Sequence, residues 1–133
     1  MAENQGPTAG LTPYLISADA AAQLAFYVRA FGAVEQLRHL AEDGKRFMHL
    51  HLLINDAPMM MCDAFPEYGH PAQAPAGFTL HLQVDDADAW WKRATEAGAT
   101  VAMPLEDQFW GDRYGQVIDP FGVRWSIGSS RKA

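Results

Sequence analysis

The stretches AAAQLAFYVRAFGAV at 20–34 and ADAWWKRATEAGATV at 87–101 decide the fold of this chain. Each places apolar residues at helical spacing, follows an aspartate that can cap a helix, and contains a glycine where the helix ends. The cap is Asp19 in the first stretch and Asp85 or Asp86 in the second. Because one pattern occurs twice, the sequence predicts an internal duplication.

Strand-like runs surround both helices in the same order. They are 11–16, 34–40, 47–54 and 59–62 in the first half, and 78–84, 100–103, 114–118 and 123–127 in the second. The turn sequence at 55–58 separates the last two strands of the first half. Both halves are therefore predicted to be β-α-β-β-β.

The repeat predicts one α+β domain over 1–133. It comprises a first module at 11–62, a linker at 63–77 rich in Pro, Gly and Ala, and a second module at 78–128. The helix of a βαβββ module covers one face of its sheet, so two modules can join their free faces into a curved half-barrel. That concave surface is the predicted cavity.

Composition excludes several classes of protein. The chain has 133 residues, of which 49% are apolar and 20% charged, as in a globular domain. A net charge of −6 with scattered Lys and Arg argues against nucleic acid as a partner. Cys62 is the only cysteine, so no disulfide forms within the chain. Without an 18-residue apolar run, and with an N-terminus MAENQGPTAG that reads as a disordered leader unlike a signal peptide, we expect a cytoplasmic protein away from membranes.

Strand alternation predicts which polar side chains face the cavity. In the run at 47–54, the apolar residues Met48, Leu50, Leu52 and Ile54 fall on one side, which leaves two histidines on the other. The same argument in the strands at 78–84 and 123–127 completes the predicted lining. It consists of His49, His51, Thr79, His81, Gln83, Arg124 and Ser126.

The three histidines of this lining can be metal ligands, proton carriers or polar wall residues, and the wall role is favoured because no carboxylate shares these strand faces. His39 and His70 are expected at the surface. The cluster FWGDRYG at 109–115 adds Trp110 and Arg113 as candidate ligand-binding residues. The alternative is that this cluster forms a turn and closes one end of the barrel.

Three segments resemble the vicinal oxygen chelate superfamily, in its glyoxalase/bleomycin resistance/dioxygenase group and PhnB-like branch. They are ADAAAQLAFYVRAFGA, FTLHLQVDDADAWWKRATEAGA and FWGDRYGQVIDPFGVRW, and the likeness extends from Leu11 to Ile127. Carried over by position, the metal sites that the resemblance implies fall on Thr12, Met60, Thr79 and Ser126, which are poor divalent-cation ligands. We therefore expect no metal cofactor, while a shifted site using His81 with His49 or His51 stays open.

The function predicted from these observations is binding of a hydrophobic or aromatic small molecule. The alternative is a glyoxalase-type lyase, isomerase or dioxygenase with a noncanonical histidine site. A purely structural or interaction protein is the third and weakest hypothesis. The resemblance also implies paired chains. Trp90 or Trp91 on the second helix, with the aromatic residues Phe109, Trp110 and Tyr114, further favours a homodimer.

Overall fold

The first half of the chain folds as one strand, one helix and three strands. The computed structural model describes residues 7–130, so the first six residues of the predicted leader lie outside it. The elements are β1 Tyr14–Ser17, α1 Ala20–Phe31, β2 Val34–Leu40, β3 Phe47–Ile54 and β4 Ala57–Asp63, followed by a short 3-10 helix at Pro66–Tyr68. They form a sheet of order β1-β4-β3-β2, in which β1 runs parallel to β4.

The second half repeats this arrangement. Its elements are β5 Leu80–Gln83, α2 Ala87–Ala97, β6 Thr100–Asp107, β7 Asp112–Ile118 and β8 Arg124–Ser130. The sheet order is β5-β8-β7-β6, again with the first strand parallel to the last. The α+β class and the repeated βαβββ order are confirmed.

The two halves are separate compact units. The first unit contains the residues up to Val28 together with Gly32–Gln73, and the second contains Arg29–Phe31 together with the residues from Ala74 onward. Each sheet has four strands and is open at both edges.

Both helices begin after an aspartate cap and end at a glycine. Asp19 accepts a hydrogen bond from the backbone N–H of Ala22, and Asp86 accepts one from Ala89, each at 3.1 Å. Of the two aspartates that could cap α2, it is Asp86 that does so. Gly32 ends α1 with a φ of 67°, a left-handed conformation that glycine adopts without strain.

A buried aspartate holds each unit together, and in the first unit it is Asp63. Its side chain is 6% exposed and accepts hydrogen bonds from the backbone N–H groups of Ala20 and Phe47, both at 2.7 Å. This single carboxylate therefore connects the end of β4 to the start of α1 and the start of β3.

Asp119 has the corresponding role between β7 and β8. It is 4% exposed and accepts bonds from the backbone N–H groups of Phe121 and Val123 and from the indole N–H of Trp125, at 2.8, 3.0 and 3.0 Å. The sequence D-P-F-G-x-x-W is thus a structural turn that anchors a buried tryptophan.

In the second unit, α2 covers one face of its own sheet. Trp91 of α2 lies against Gly115 of β7, where a Cβ atom would come within 2.7 Å of the indole ring. The apolar core of the two sheets is buried and consists of Leu50, Leu52, Met59 and Met61 in the first unit and Leu82, Val117, Trp125 and Ile127 in the second.

Several predicted boundaries were wrong for local reasons. The turn after β3 contains only Asn55 and Asp56, whose φ angles of 53° and 65° are those of a tight hairpin turn, so β4 begins at Ala57. Met48, predicted with the apolar set, is 58% exposed because a register shift interrupts the pairing of β2 and β3 beside it.

The remaining differences are in length. β1 begins at Tyr14 and β5 at Leu80, later than predicted, while β6 and β8 run on to Asp107 and Ser130. β7 begins at Asp112, so part of the 109–115 cluster lies in a strand. Between residues 7 and 130, neither helix has the length and apolar character needed to span a membrane.

Candidate functional site

The second sheet has a polar face turned away from α2, here called the second-unit free face. It is defined by alternate residues of three adjacent strands, with cross-strand pairs His81–Ser126 and Gln116–Ser126 in register. Its members are His81 and Gln83 of β5, Ser126 and Gly128 of β8, and Tyr114 and Gln116 of β7. Arg124 of β8 and Trp110 of the β6–β7 turn adjoin it.

A chain of hydrogen bonds fixes the imidazole of His81 on this face. Its Nδ1 lies 2.6 Å from the hydroxyl of Ser126, and its Nε2 lies 2.8 Å from Oε1 of Gln83. The amide nitrogen of Gln83 donates to Ser130 at 3.4 Å. Because an amide oxygen only accepts, Nε2 carries a proton, and in the neutral ring Nδ1 then accepts the proton of Ser126. Ser126 is 1% exposed, so it positions the ring.

His81 and Tyr114 form an aromatic pair over the sheet. Their ring centroids are 5.9 Å apart and the rings are inclined by only 24°. Gly128 lies beneath them, where a Cβ atom would be 3.1 Å from Cε1 of His81 and 3.4 Å from Cδ2 of Tyr114. Trp110 meets the Tyr114 ring edge to face at 5.5 Å. The absence of a side chain at Gly128 therefore lets the rings settle close to the backbone.

A second hydrogen-bonded chain ends at the same tyrosine. The guanidinium of Arg124 donates to Oε1 of Gln116 at 3.0 Å, and Nε2 of Gln116 donates to the hydroxyl of Tyr114 at 3.1 Å. The phenol oxygen accepts this bond and its proton can be donated further. Arg124 is thus held in place by its own sheet.

Two predicted ligand residues of the second unit lie apart from this group. Arg113 is on the helix side of the sheet, because it alternates with Tyr114 along β7. Its guanidinium donates to Asp88 of α2 at 3.0 Å and to Asp107 of β6 at 3.1 Å, and both bonds raise its pKa. Thr79 is exposed and precedes β5.

The first sheet also has a face opposite its buried apolar residues Leu50, Leu52, Met59 and Met61, here called the first-unit free face. It carries Tyr14 and Ile16 of β1, Leu37 and His39 of β2, His49 and His51 of β3, and Met60 and Cys62 of β4. Apart from the imidazoles, this face is made of thioether, thiol, phenol and aliphatic side chains.

His49 lies at the centre of this face and is partly paired. The hydroxyl of Tyr14 is 3.3 Å from its Nδ1, and the ring of His39 is 6.5 Å away. Burial lowers the pKa of His49, and the neighbouring His39 and His51 lower it further. Burial also raises the pKa of the Cys62 thiol, so this cysteine stays protonated near neutral pH.

His51 differs from every other polar residue of the site. Its side chain is 3% exposed, and within residues 7–130 neither ring nitrogen has a hydrogen-bond partner. Leaving a buried polar atom unpaired costs about 1–3 kcal/mol, so most native structures avoid it.

A groove of about 400 Å³ lies elsewhere in the second unit, beside α2. It is lined by Arg29, Ala89, Lys92, Arg93, Glu96 and Ala97. The side chains of Lys92, Arg93 and Glu96 are exposed. Arg93 donates a hydrogen bond to the backbone oxygen of Arg29 at 2.8 Å. Exposed lysine and glutamate side chains beside it lose conformational entropy when they order around a ligand, which favours the hydrogen-bonded free face as the binding site.

Sequence reasoning missed several members of both faces. Tyr114 and Gln116 were predicted to lie in a strand but were not assigned to the cavity face, although alternation along β7 places both beside Ser126 and Gly128. Tyr14 and Cys62 could have been found in the same way, by pairing the short first strand with β4. His39 was expected to be an exposed surface residue, and it is exposed, yet its ring still approaches His49.

The helix tryptophans give little support to dimerisation. Trp90 and Trp91 are both half-buried, and Trp91 packs inside its own unit. Exposed aromatic surface is found instead at the β6–β7 turn, where Phe109 is 96% and Trp110 48% exposed. The homodimer stays a prediction.

Comparison with known proteins assigns the class to which this duplicated fold belongs. The model of the Glyoxalase/Bleomycin resistance protein/Dioxygenase superfamily matches residues 9–127, so the chain belongs to that superfamily. It is 47% identical over 134 residues to Rv0887c of Mycobacterium tuberculosis, covering 96% of this chain and 77% of that protein.

Solved structures show the same fold. PA1353 from Pseudomonas aeruginosa superimposes with a TM-score of 0.75 at 24% identity, covering 94% of this chain and 100% of that one. A PhnB protein from Bacillus cereus gives 0.70 at 15% identity, covering 92% and 100%. At these identities the likeness concerns the fold alone.

The positions at which the resemblance implies metal ligands do not fit a divalent cation. Met60 offers a thioether, Thr79 is an exposed hydroxyl outside the strand, and Ser126 is bonded to His81. Among residues 7–130, no three His, Cys, Asp or Glu side chains are grouped so that they could hold a metal ion. The lyase and dioxygenase alternatives gain no support from these residues.

Proposed function

We propose that this chain binds an aromatic or hydrophobic small molecule on the second-unit free face. The observation that carries the proposal is the His81–Tyr114 ring pair, held over Gly128 and bordered by Trp110. Aromatic surfaces that are fixed before binding lose little conformational entropy when a planar ligand stacks on them.

The polar groups beside the rings give the proposed ligand its orientation. The hydroxyl of Tyr114 has a proton to donate. It is hydrogen-bonded to Gln116, which is in turn hydrogen-bonded to the guanidinium of Arg124. A ring bearing an oxygen substituent matches this arrangement, with its flat face on the ring pair and its oxygen toward Tyr114. Fixed donors of this kind favour ligands with hydrogen-bond acceptors at the ring edge.

The test is the shift in melting temperature on addition of ligands. The panel contains aromatic acids, phenols and aromatic antibiotics, the last because the superfamily description includes bleomycin resistance proteins. A ligand at a hundred times its dissociation constant stabilises the protein by about 2.7 kcal/mol, which is readily measured.

Three variants localise the binding. Tyr114→Leu should abolish the shift, whereas Tyr114→Phe retains the ring and should lose about tenfold in affinity for ligands that accept the hydroxyl proton. Tyr68→Leu is the matched control, since Tyr68 is 75% exposed on the 3-10 helix of the first unit. A shift that survives Tyr114→Leu, or a panel without any shift, contradicts the proposal.

A further inference from the structure

His51 has a buried imidazole without a hydrogen-bond partner in the described residues, and the fold gives no reason for a polar side chain at this position. The ring is 3% exposed, yet neither nitrogen finds a partner among residues 7–130. A leucine or phenylalanine would fill such a position without losing any hydrogen bond. Within the described structure, the polar atoms of this histidine therefore make no hydrogen bond that would explain its presence.

The neighbouring histidine shows what kind of partner suits this face. His49 lies two residues before His51 on the same strand face, and the phenol of Tyr14 reaches its Nδ1 at 3.3 Å. A neutral imidazole has one nitrogen that donates and one that accepts. A hydroxyl serves either nitrogen, because it can both donate and accept.

We infer that His51 anchors a second ligand subsite on the first-unit free face, which takes the phenolic hydroxyl of an aromatic ligand. Around it lie Leu37 and Met60, its cross-strand neighbours, which suit an aromatic ring. The remaining polar groups on this face are Tyr14, His39, His49 and Cys62. The inference rests on the proposed function in one respect, namely that the chain binds aromatic small molecules.

Access to His51 requires a neighbour to move, and Met60 is the side chain suited to do so. It pairs directly with His51 across the sheet and is half-buried. Its unbranched thioether has three rotatable bonds, so it can change rotamer without disturbing the strand. A ligand ring would take the place of the displaced Met60 side chain.

The experiment compares three probes of nearly equal size: 4-methylphenol, 4-methylanisole and toluene. Only the first has a hydroxyl proton. Their dissociation constants are measured by NMR titration with wild type, His51→Leu, His51→Gln and the control His70→Leu, whose histidine is exposed in the segment after the 3-10 helix. The melting temperature of each ligand-free variant is measured in parallel.

Wild type should bind 4-methylphenol about tenfold more tightly than the other two probes. His51→Leu should remove this preference and also raise the melting temperature without ligand by about 3 °C, because a buried unpaired polar group has been removed. His51→Gln, which keeps a donor and an acceptor, should restore part of the preference. His70→Leu should behave as wild type.

Two results overturn the inference and leave the proposed function standing: a phenol preference that persists in His51→Leu, and a lowered melting temperature of that variant without ligand. The second would mean that the imidazole is satisfied within the folded protein. If wild type binds 4-methylphenol no better than toluene, the inference also fails. If no probe binds and the larger panel gives no shift, both proposals fail together.

Discussion

The two units share one backbone plan but differ on their free faces. In the second unit, the polar side chains of the free face are hydrogen-bonded to their neighbours, and the ring pair of His81 and Tyr114 is held before any ligand arrives. In the first unit, the corresponding face has hydrogen bonds of Tyr14 with His49 and with Cys62, and a buried His51 without a partner in the described part of the chain. Duplication thus preserved the scaffold while the two faces acquired different chemistry.

The largest predicted effect concerns the scaffold that the units share. Asp119→Ala leaves three donors without their acceptor, two of them the buried N–H of Val123 and the buried indole of Trp125, and should lower the free energy of unfolding by more than about 3 kcal/mol. Asp63→Ala removes two such bonds and should cost less. Urea denaturation measures both.

Asparagine variants are the matched controls, because the amide keeps one accepting oxygen at each site. Asp119→Asn and Asp63→Asn should each be less destabilising than the alanine variant. Equal stability of Asp119→Ala and wild type would contradict a structural role for the D-P-F-G turn.

A smaller loss of stability is expected for alanine substitutions at glycines of the second sheet, and its size should differ between the two faces. Gly115→Ala places a methyl group within 2.7 Å of Trp91 and 2.8 Å of the Leu105 backbone, so it should destabilise the protein by about 1–3 kcal/mol through overpacking. Gly128→Ala meets the His81 and Tyr114 rings at 3.1 and 3.4 Å and the backbone oxygen of Arg113 at an ordinary contact distance of 3.5 Å. It should cost little stability but weaken ligand binding.

Denaturation and ligand titration of both glycine variants provide the check. If Gly128→Ala leaves the affinity unchanged, the ring pair does not depend on the close approach to the backbone, and the account of this face is wrong.

The smallest effect is a pH dependence that belongs to the first unit. The pKa of His49 is lowered from 6.5 by burial and by its histidine neighbours, so the unfolded chain binds a proton more readily than the folded one. The stability from His49 is therefore complete above pH 6.5 and is lost as the pH falls below that value. Wild type should lose more stability between pH 7.5 and 5.5 than His49→Leu does, and identical slopes in urea denaturation would contradict this.

The sequence allowed the scaffold to be predicted because its determinants are local. Aspartate caps, terminal glycines and the duplicated helix pattern act within a few residues, and β2 and β3 were predicted with their observed bounds. The residues on each sheet face were predicted from strand alternation, which put His81 and Ser126 on the same face, as they are in the structure. It was not applied to Arg113, which was grouped with its loop neighbours and lies on the helix side.

Pairing between distant strands was not predictable in the same way. The contact of Tyr14 with His49 requires the register of β1, β4 and β3 together, and the unpaired state of His51 is visible only in three dimensions. A residue pattern gives the polarity of such a face but not its hydrogen bonds.

The most direct test of the account is an NMR titration with the tightest ligand of the panel, following assigned side chains of the second unit. If the ligand binds on the second-unit free face, the aromatic signals of Tyr114, the side-chain amide of Gln116 and the Nε–H of Arg124 should shift together. The Nε–H of Arg113, one residue away but on the helix side, should stay in place. Shifts confined to Lys92, Arg93 and Glu96 would put the ligand in the groove beside α2 and would contradict the account.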